Sequence, residues 1–508
     1  MSDDFFRNRL DEMIDLKHPL AVLAARLPWD KMQEAIEPTF AHKARPVKVG
    51  DKQQDLLGEA CQISGGGVSH AGRPRRALRL MMALTLLKNS FDLSDEELVA
   101  RFAENVYYQH FAGYDYFDPR PPCDATQIGR FRTALGEAGL EALLSATIHT
   151  AVDVGAIKKS EFKRVIVDTT VQEKAIAHPV DSRLLEIARR KVMAAAKRCG
   201  IGLKQTFAAE GKTLQRQAGG YAHAKQFKRL RRVVKRQRTI LGILMREVKR
   251  KMPTAMATAT NTTTAKTDNA LALTALNTWL ERAERIRTQQ RTDKNKLYAL
   301  HAPEVECIGK GKARRPYEFG VKVSVAVTHK QGLLVGARSF TGNPYDGHVL
   351  SAQMEQSTIL LQDLKVKPQQ IVVDLGYRGK EVEAANPDME IIHRGKIKTM
   401  GKTRKKWLKR RQAVEPAIGH LKSDNRMQRC WLAGATGDAL HALCCALGYN
   451  LRWLMRAVVR LGLTGFLLCL NLAAHLGRFI AGAPGMREKT HRGLPQTQGF
   501  TLVLFQPA

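Results

Sequence analysis

The stretch IVVDLGYRG, residues 371–379, opens with three apolar β-branched residues, stops on a carboxylate and then turns through two glycines. An uninterrupted Ile-Val-Val run reads as a strand buried on both faces, and so as a central member of a sheet. Asp374 ends it. A carboxylate there is costly if buried without a partner, so it needs a cation or solvent at the strand end. Alone it reads as a turn or helix cap. The pattern recurs in RVIVDTTVQ, residues 164–172, a β-branched run with Asp168 inside it.

Other elements fall into place around these two strands. EFGVKVSVAV, residues 318–327, alternates valine with polar residues and so implies a sheet with one solvated face, and THKQGLLVGARSF, residues 328–340, supplies a Gly-containing turn and a second strand, hence a hairpin. NPYDGH, residues 343–348, reads as a loop, residues 348–364 as a helix, MEIIH at 389–393 as a short strand, and residues 412–456 as helical. Residues 1–150 are also helical in pattern. The run at 79–102 has a long apolar face, its SDEE from Ser94 is a helix start, and a further helix spans 126–144 after the turn-forming PRPP. Such helix pairs fit a DNA-binding module and a plain bundle equally. The predicted division is a helical N-terminal domain at 1–150, a catalytic domain split into 160–180 and 301–456, a helical insertion at 181–300, and an apolar helix and tail at 457–508.

The 508 residues include 82 Lys or Arg against 48 acids, a net charge of +34 and a pI near 10.1. A polyanion is the first partner to consider. Nucleic acid fits better than a membrane, because the excess is spread along the chain; simple solubility is the blander reading. The charge is densest at 181–252, with 21 Lys or Arg and four acids. There Phe227, Leu230, Val234, Leu241, Leu244 and Val248 form a helical seam broken only by Gln237, and a second helix at 269–285 can pack back beyond an exposed Thr/Ala-rich loop starting at Pro253. This is either a solvated hairpin or a DNA-gripping arm presenting Arg229, Arg231, Arg232, Lys235 and Arg236. The one-sided charge favours the arm. Eight cysteines without CxxC spacing read as reduced and mostly buried in a cytosolic protein. The polar N-terminus is no secretory signal, and residues 461–483, interrupted by Asn471, His475 and Arg478, read as a buried or partner-packing helix instead of a membrane span.

A third carboxylate is available in RRQAVEPAIGHLKSD, residues 410–424. Pro416 lacks an N–H and fits the first turn of a helix, which puts Glu415 near the helix start with Arg411 and Lys422 roughly on its face. An Arg/Glu/Lys face alone is commonly a surface ion-pair ladder. Three carboxylates without a His or Cys cluster suit Mg²⁺, with Mn²⁺ able to substitute. Two such ions about 3.5–4 Å apart support in-line phosphoryl displacement on DNA. GxSxG and GxxxxGK[ST] motifs are both missing from the sequence.

In order, VDTT from Val167, VDLGYRG from Val373, and Arg411, Glu415 and Lys422 resemble the signature of bacterial insertion-sequence DDE transposases, in the branch with a Tyr-Arg-Glu-Lys motif. The Arg, Glu and Lys spacing matches in full, while Leu408, beside Trp407, stands at the motif tyrosine. Residues 72–113 resemble the helical entry domain of the insertion-sequence-five group. The resemblance implies an α/β, ribonuclease-H-like mixed sheet with flanking helices, in which Asp168 bridges two Mg²⁺ ions and Asp374 and Glu415 each complete one coordination sphere. It implies cleavage at terminal inverted repeats and transfer of the 3′-OH into target DNA, with Arg411 and Lys422 at DNA phosphates and Arg378 counted with them. A homodimer acting on double-stranded DNA at the bacterial nucleoid, without a membrane, is expected. A ribonuclease-H-like nuclease that does not join, and an inactive basic DNA-binding protein, are the alternatives. The large insertion between the first strand and the hairpin departs from relatives that insert later.

Overall fold

The computed structural model describes residues 8–40, 53–54, 60–61, 76–258, 263–309 and 316–462. One mixed sheet contains six strands: β1 (Arg164–Glu173), β2 (Glu306–Gly309), β3 (Tyr317–Thr328), β4 (Leu334–Phe340), β5 (Gln370–Val372) and β6 (Glu390–Ile392). The helices that pack on it or extend from it include α1 (Leu78–Ser90), α2 (Asp95–Glu104), α3 (Ala125–Asp153), α4 (Asp181–Arg198), α5 (Ala208–His223), α6 (Phe227–Thr258), α7 (Thr263–Thr288), α8 (Asp346–Leu360), α9 (Val414–Ser423) and α10 (Gly434–Arg460). This mixed sheet with flanking helices agrees with the ribonuclease-H-like expectation.

β1 is the axis of the sheet. β3 pairs with it antiparallel from Val165 opposite Thr328 to Glu173 opposite Gly320, which leaves room for Gly320 alone: a Cβ there would lie 1.9 Å from the Gln172 carbonyl oxygen. On the other edge β5 runs parallel to Arg164–Ile166, and β6 parallel to β5. β2 and β4 share the far edge of β3. The 371–373 run read as a central strand lies inside the sheet, and β5 stops beside the middle of β1, so that Asp374 follows its end while Asp168 stands halfway along β1. The predicted hairpin is β3–β4, but β3 has no solvated face: Ser324, Ala326 and Thr328 are as buried as the valines that alternate with them, because the strand is covered on both sides. Strand β2 went unpredicted, since four residues without alternation give no periodic signal.

The N-terminal helices and the sheet share one apolar core reaching from Leu20 to Val458. α1 is buried on nearly every side, and α10 crosses it closely at Gly448, where a Cβ would come 2.4 Å from the Asn89 carbonyl carbon. The predicted start of α2 is a complete capping box between Ser94 and Glu97. Buried Asn450 of α10 bonds both the N–H (3.1 Å) and the C=O (3.0 Å) of Leu334, satisfying backbone groups that would otherwise be orphaned beside the β3–β4 irregularity. Cys123, Cys430, Cys444 and Cys445 are free and buried, and Cys199 and Cys307 free and half-buried.

The basic insertion has its own core, in which Leu184, Leu185, Ala188 and Val192 of α4 meet Leu241, Met245 and Val248 of α6 and Leu276, Leu280 and Ala283 of α7. The seam differs from the expected one in two ways. Phe227, the first residue of α6, is 56 % exposed and lies outside it. Gln237 is buried within it, where its amide donates to the Ser182 carbonyl at 3.3 Å. The segment read as a loop from Pro253 is helical to Thr258, and α7 begins at Thr263, so only residues 259–262 of that loop lie outside the described residues. Alanine and methionine favour helix strongly enough to carry the last turns past the proline. The apolar segment at 461–483 lies outside the described residues from position 463 onward. Among the described residues no helix is long and apolar enough to cross a membrane.

Candidate active site

Asp168 stands midway along β1, opposite Val325. Its Oδ1 accepts the N–H of Thr169 at 2.8 Å, and its Oδ2 lies 3.3 Å from the Arg411 guanidinium. Burial pushes this carboxyl above its ordinary range; the Thr169 N–H and Arg411 pull it down, and the charges of Asp374 and Asp346 push it up again. Asp374 follows β5, the parallel neighbour of β1, and is exposed at the strand end, where its Oδ1 accepts the Leu375 N–H at 2.7 Å. It caps a single 3₁₀ turn, so the local cap and the site carboxylate are the same side chain. Beyond it Gly379 takes φ +152°, open to glycine, whereas Gly376 lies close to the Asp346 carboxylate, which would have to give slightly to admit a Cβ.

Glu415 is the second residue of α9, and Pro416 sits in the first turn as its missing N–H demands. The Glu415 side chain is 63 % exposed, and its Oε1 lies 3.8 Å from Arg411. Arg411 therefore bridges Asp168 and Glu415. Among the described residues, no three carboxylate, histidine or cysteine side chains converge tightly enough to hold a metal ion as they stand. The donor set nevertheless suits hard divalent cations, since all three side chains offer carboxylate oxygens and Asp168 is crowded by like charge. Exposed Glu415 is ion-paired only with Arg411 among the described residues.

The other site candidates lie apart. Lys422 is two turns along α9 from Glu415, roughly 10 Å by helical rise, and its Nζ is 3.7 Å from the buried Glu318. Arg378 is exposed just beyond the 3₁₀ turn, its carbonyl accepting the Tyr345 hydroxyl at 3.2 Å. Arg229, Arg232, Lys235 and Arg236 are exposed on α6, within the insertion's own helices. Arg236 is already paired with Glu210 at 2.6 Å, and Arg229 lies over the Tyr221 ring at 5.9 Å. At the motif-tyrosine position, Leu408 and its neighbour Trp407 pack on the main core, with the Arg164 guanidinium 3.3 Å from the centre of the Trp407 ring.

Sequence reasoning missed Asp346 and Lys322. Asp346 begins α8, and its Oδ1 accepts from Thr169 Oγ1 (3.0 Å) and Lys322 Nζ (2.9 Å). The only available signal was an acid at a helix start, which commonly means a favourable charge at the positive helix end and nothing more.

Two family models match this chain. One, described as Transposase domain (DUF772), covers residues 55–134; the other, described as Transposase DDE domain, covers residues 283–451 and so includes Asp374 and Glu415 but begins within the last helix of the insertion and leaves out Asp168. The chain is 40 % identical over 225 residues to the "Uncharacterized protein ORF8 in nfe locus" of Rhizobium meliloti, an alignment spanning 44 % of this chain and 95 % of that protein. No solved structure matches it.

Proposed function

Given that this chain belongs to the DDE transposases of insertion sequences, we propose that it cuts DNA at the terminal inverted repeats of its own element and joins the resulting 3′-OH to target DNA. The observation that carries the reading is the approach of three chain segments where β5 ends beside the middle of β1. Asp168 comes from β1, Asp374 follows the adjacent parallel strand, and Arg411 ties Asp168 to Glu415 on α9.

In this reading Asp168, Asp374 and Glu415 hold two Mg²⁺ ions. Bound there, the ions supply positive charge that eases deprotonation of water and offsets charge developing on the phosphate. The chain's own residues do the rest. The Thr169 N–H fixes one oxygen of Asp168, leaving the other for the site. Exposed Glu415 swings inward from the first turn of α9. Arg411 exchanges its carboxylate partners for a DNA phosphate beside the scissile bond, and Arg378 lies within reach of the same backbone. Lys422 contacts phosphate further along α9, and the cationic face of α6 grips duplex outside the site. Two chains acting on paired element ends form the working unit.

Purified protein incubated with Mg²⁺ and linear DNA carrying the terminal repeats should nick at the repeat boundary and transfer the strand into a second duplex. Asp374→Ala and Glu415→Ala should each abolish both products on a sequencing gel. Undiminished activity in either variant removes that residue from the site. Nicking without joined product would identify a nuclease.

A further inference from the structure

We infer that Asp346 is a positioning residue for this active site, holding both aspartate-bearing segments from the face of the sheet opposite Arg411. The inference rests on the proposed role of Asp168 and Asp374. Successive residues of a strand point to opposite faces, so Thr169 turns away from the face that carries the Asp168 carboxylate. On that far face the Thr169 hydroxyl donates to Asp346 Oδ1 at 3.0 Å. The same oxygen accepts from Lys322 Nζ at 2.9 Å, and Lys322, whose side chain is 12 % exposed, also donates to the Pro344 carbonyl at 2.6 Å. This fastens the loop before α8 onto β3.

The second oxygen of Asp346 reaches the other aspartate segment. A Cβ built on Gly376, two residues past Asp374, would lie 3.0 Å from Asp346 Oδ2, so the 375–377 turn rests against this carboxylate. The neighbouring Tyr345 hydroxyl bonds the Arg378 carbonyl at 3.2 Å, closing the same contact one turn further on. Tyr377 fills the space beneath, 1 % exposed. An acid that merely favoured the helix start would need neither the threonine hydroxyl nor a glycine facing it. One side chain thus sets the separation of Asp168 and Asp374, which is the distance a pair of divalent ions must span.

The test uses full-length Asp346→Asn, Thr169→Val, Thr169→Ser and Asp374→Ala proteins, with Mn²⁺ as the probe. Two readouts are taken: nicking of terminal-repeat DNA, and the Mn²⁺-dependent rise in melting temperature, which needs no turnover. Outer partners of metal ligands are worth about 10- to 100-fold in metal affinity. Asp346→Asn and Thr169→Val should shift the Mn²⁺ midpoint upward by that factor while binding repeat DNA as the wild type does, and should recover nicking at high Mn²⁺. Thr169→Ser, which keeps the hydroxyl, should stay within about twofold of wild type. Asp374→Ala should not nick at any Mn²⁺ concentration. Unshifted midpoints in Asp346→Asn and Thr169→Val beside an inactive Asp374→Ala would overturn the role of Asp346 alone. An active Asp374→Ala would overturn the site itself and this inference with it. If Asp346→Asn does not fold, Thr169→Val, which removes only the hydroxyl, decides the matter.

Discussion

Asp168 is a carboxylate kept where ionisation is costly. Burial raises its pKa, and the Thr169 N–H and Arg411 oppose that rise without cancelling it. A carboxyl whose folded-state pKa lies above its ordinary value of 3.8 binds its proton more tightly folded than unfolded. Its charge therefore subtracts stability in full above the folded-state pKa, and the loss disappears as pH falls through that value to below 3.8. In chelating buffer at pH 7, Asp168→Asn should melt higher than wild type. The advantage should shrink towards pH 4, and the variant should not cut DNA. Circular-dichroism melts at the two pH values decide it; a lower melting point at pH 7 would mean that the lost pairing with Arg411 outweighs the relief of burial. Asp374 and Glu415, by contrast, are exposed, and both were recognisable in sequence: one ended an apolar strand, the other preceded a proline at a helix start. Asp346 was not recognisable. It sits in a loop-like NPYDGH, and its meaning comes from Thr169 and Gly376, 177 and 30 residues away in the chain.

Among the elements, the strands could be read because β-branched runs such as residues 164–172 and 321–327 have no helical period to compete with them. Helix ends were harder. Pro253 was taken as a break, yet α6 passes it because Ala and Met on either side favour helix, and because the seam below is already buried from Val233 onward. Phe227 matched the spacing but is left exposed, a tertiary outcome that periodicity does not contain. The arm reading now has a finer form. Arg231, Arg232 and Lys235 present exposed charge, Arg229 shares its own with the Tyr221 ring, and Arg236 is held by Glu210. Replacing Arg229, Arg231, Arg232 and Lys235 together with alanine should lower the slope of log affinity against log salt by about 3 to 4, one unit per lost phosphate contact. Arg236→Ala should move it less than Arg232→Ala, since Arg236 must first leave its carboxylate. Fluorescence anisotropy across a salt series measures both, and an unchanged slope in the quadruple variant would reduce the arm to a solvated surface.

At the scale of the molecule, the chain leaves the sheet after β1 and returns at β2, and the two crossing points are fastened together. Lys174, just past β1, lies 2.8 Å from Glu304 before β2 and 2.8 Å from Asp438 on α10, with all three side chains at most 9 % exposed. Glu304 also accepts the Gly434 N–H at 3.0 Å, and the Cys430 N–H reaches the Glu173 carbonyl at 2.7 Å. Removing one member of such a buried cluster leaves uncompensated charge and costs about 3–5 kcal/mol. Most of the insertion packs on a different core, that of α4, α6 and α7, and near its end Tyr298 and Ala299 join Phe319 of β3 in a small third cluster, while the main core runs from the N-terminal helices through the sheet to α10. The insertion is thus attached near its two ends and contributes none of the three proposed site carboxylates. Replacing residues 180–300 with a short Gly/Ser linker, which spares Lys174, Glu304 and Asp438, should leave a protein that melts cooperatively and nicks terminal-repeat DNA at low salt. The same protein should bind that DNA more weakly and with a flatter salt dependence than the full chain. Loss of cooperative melting on excision would show that the two cores stabilise one another. Retained melting with lost nicking at low salt would place the insertion in the cutting step itself, beyond the electrostatic grip that its charge explains.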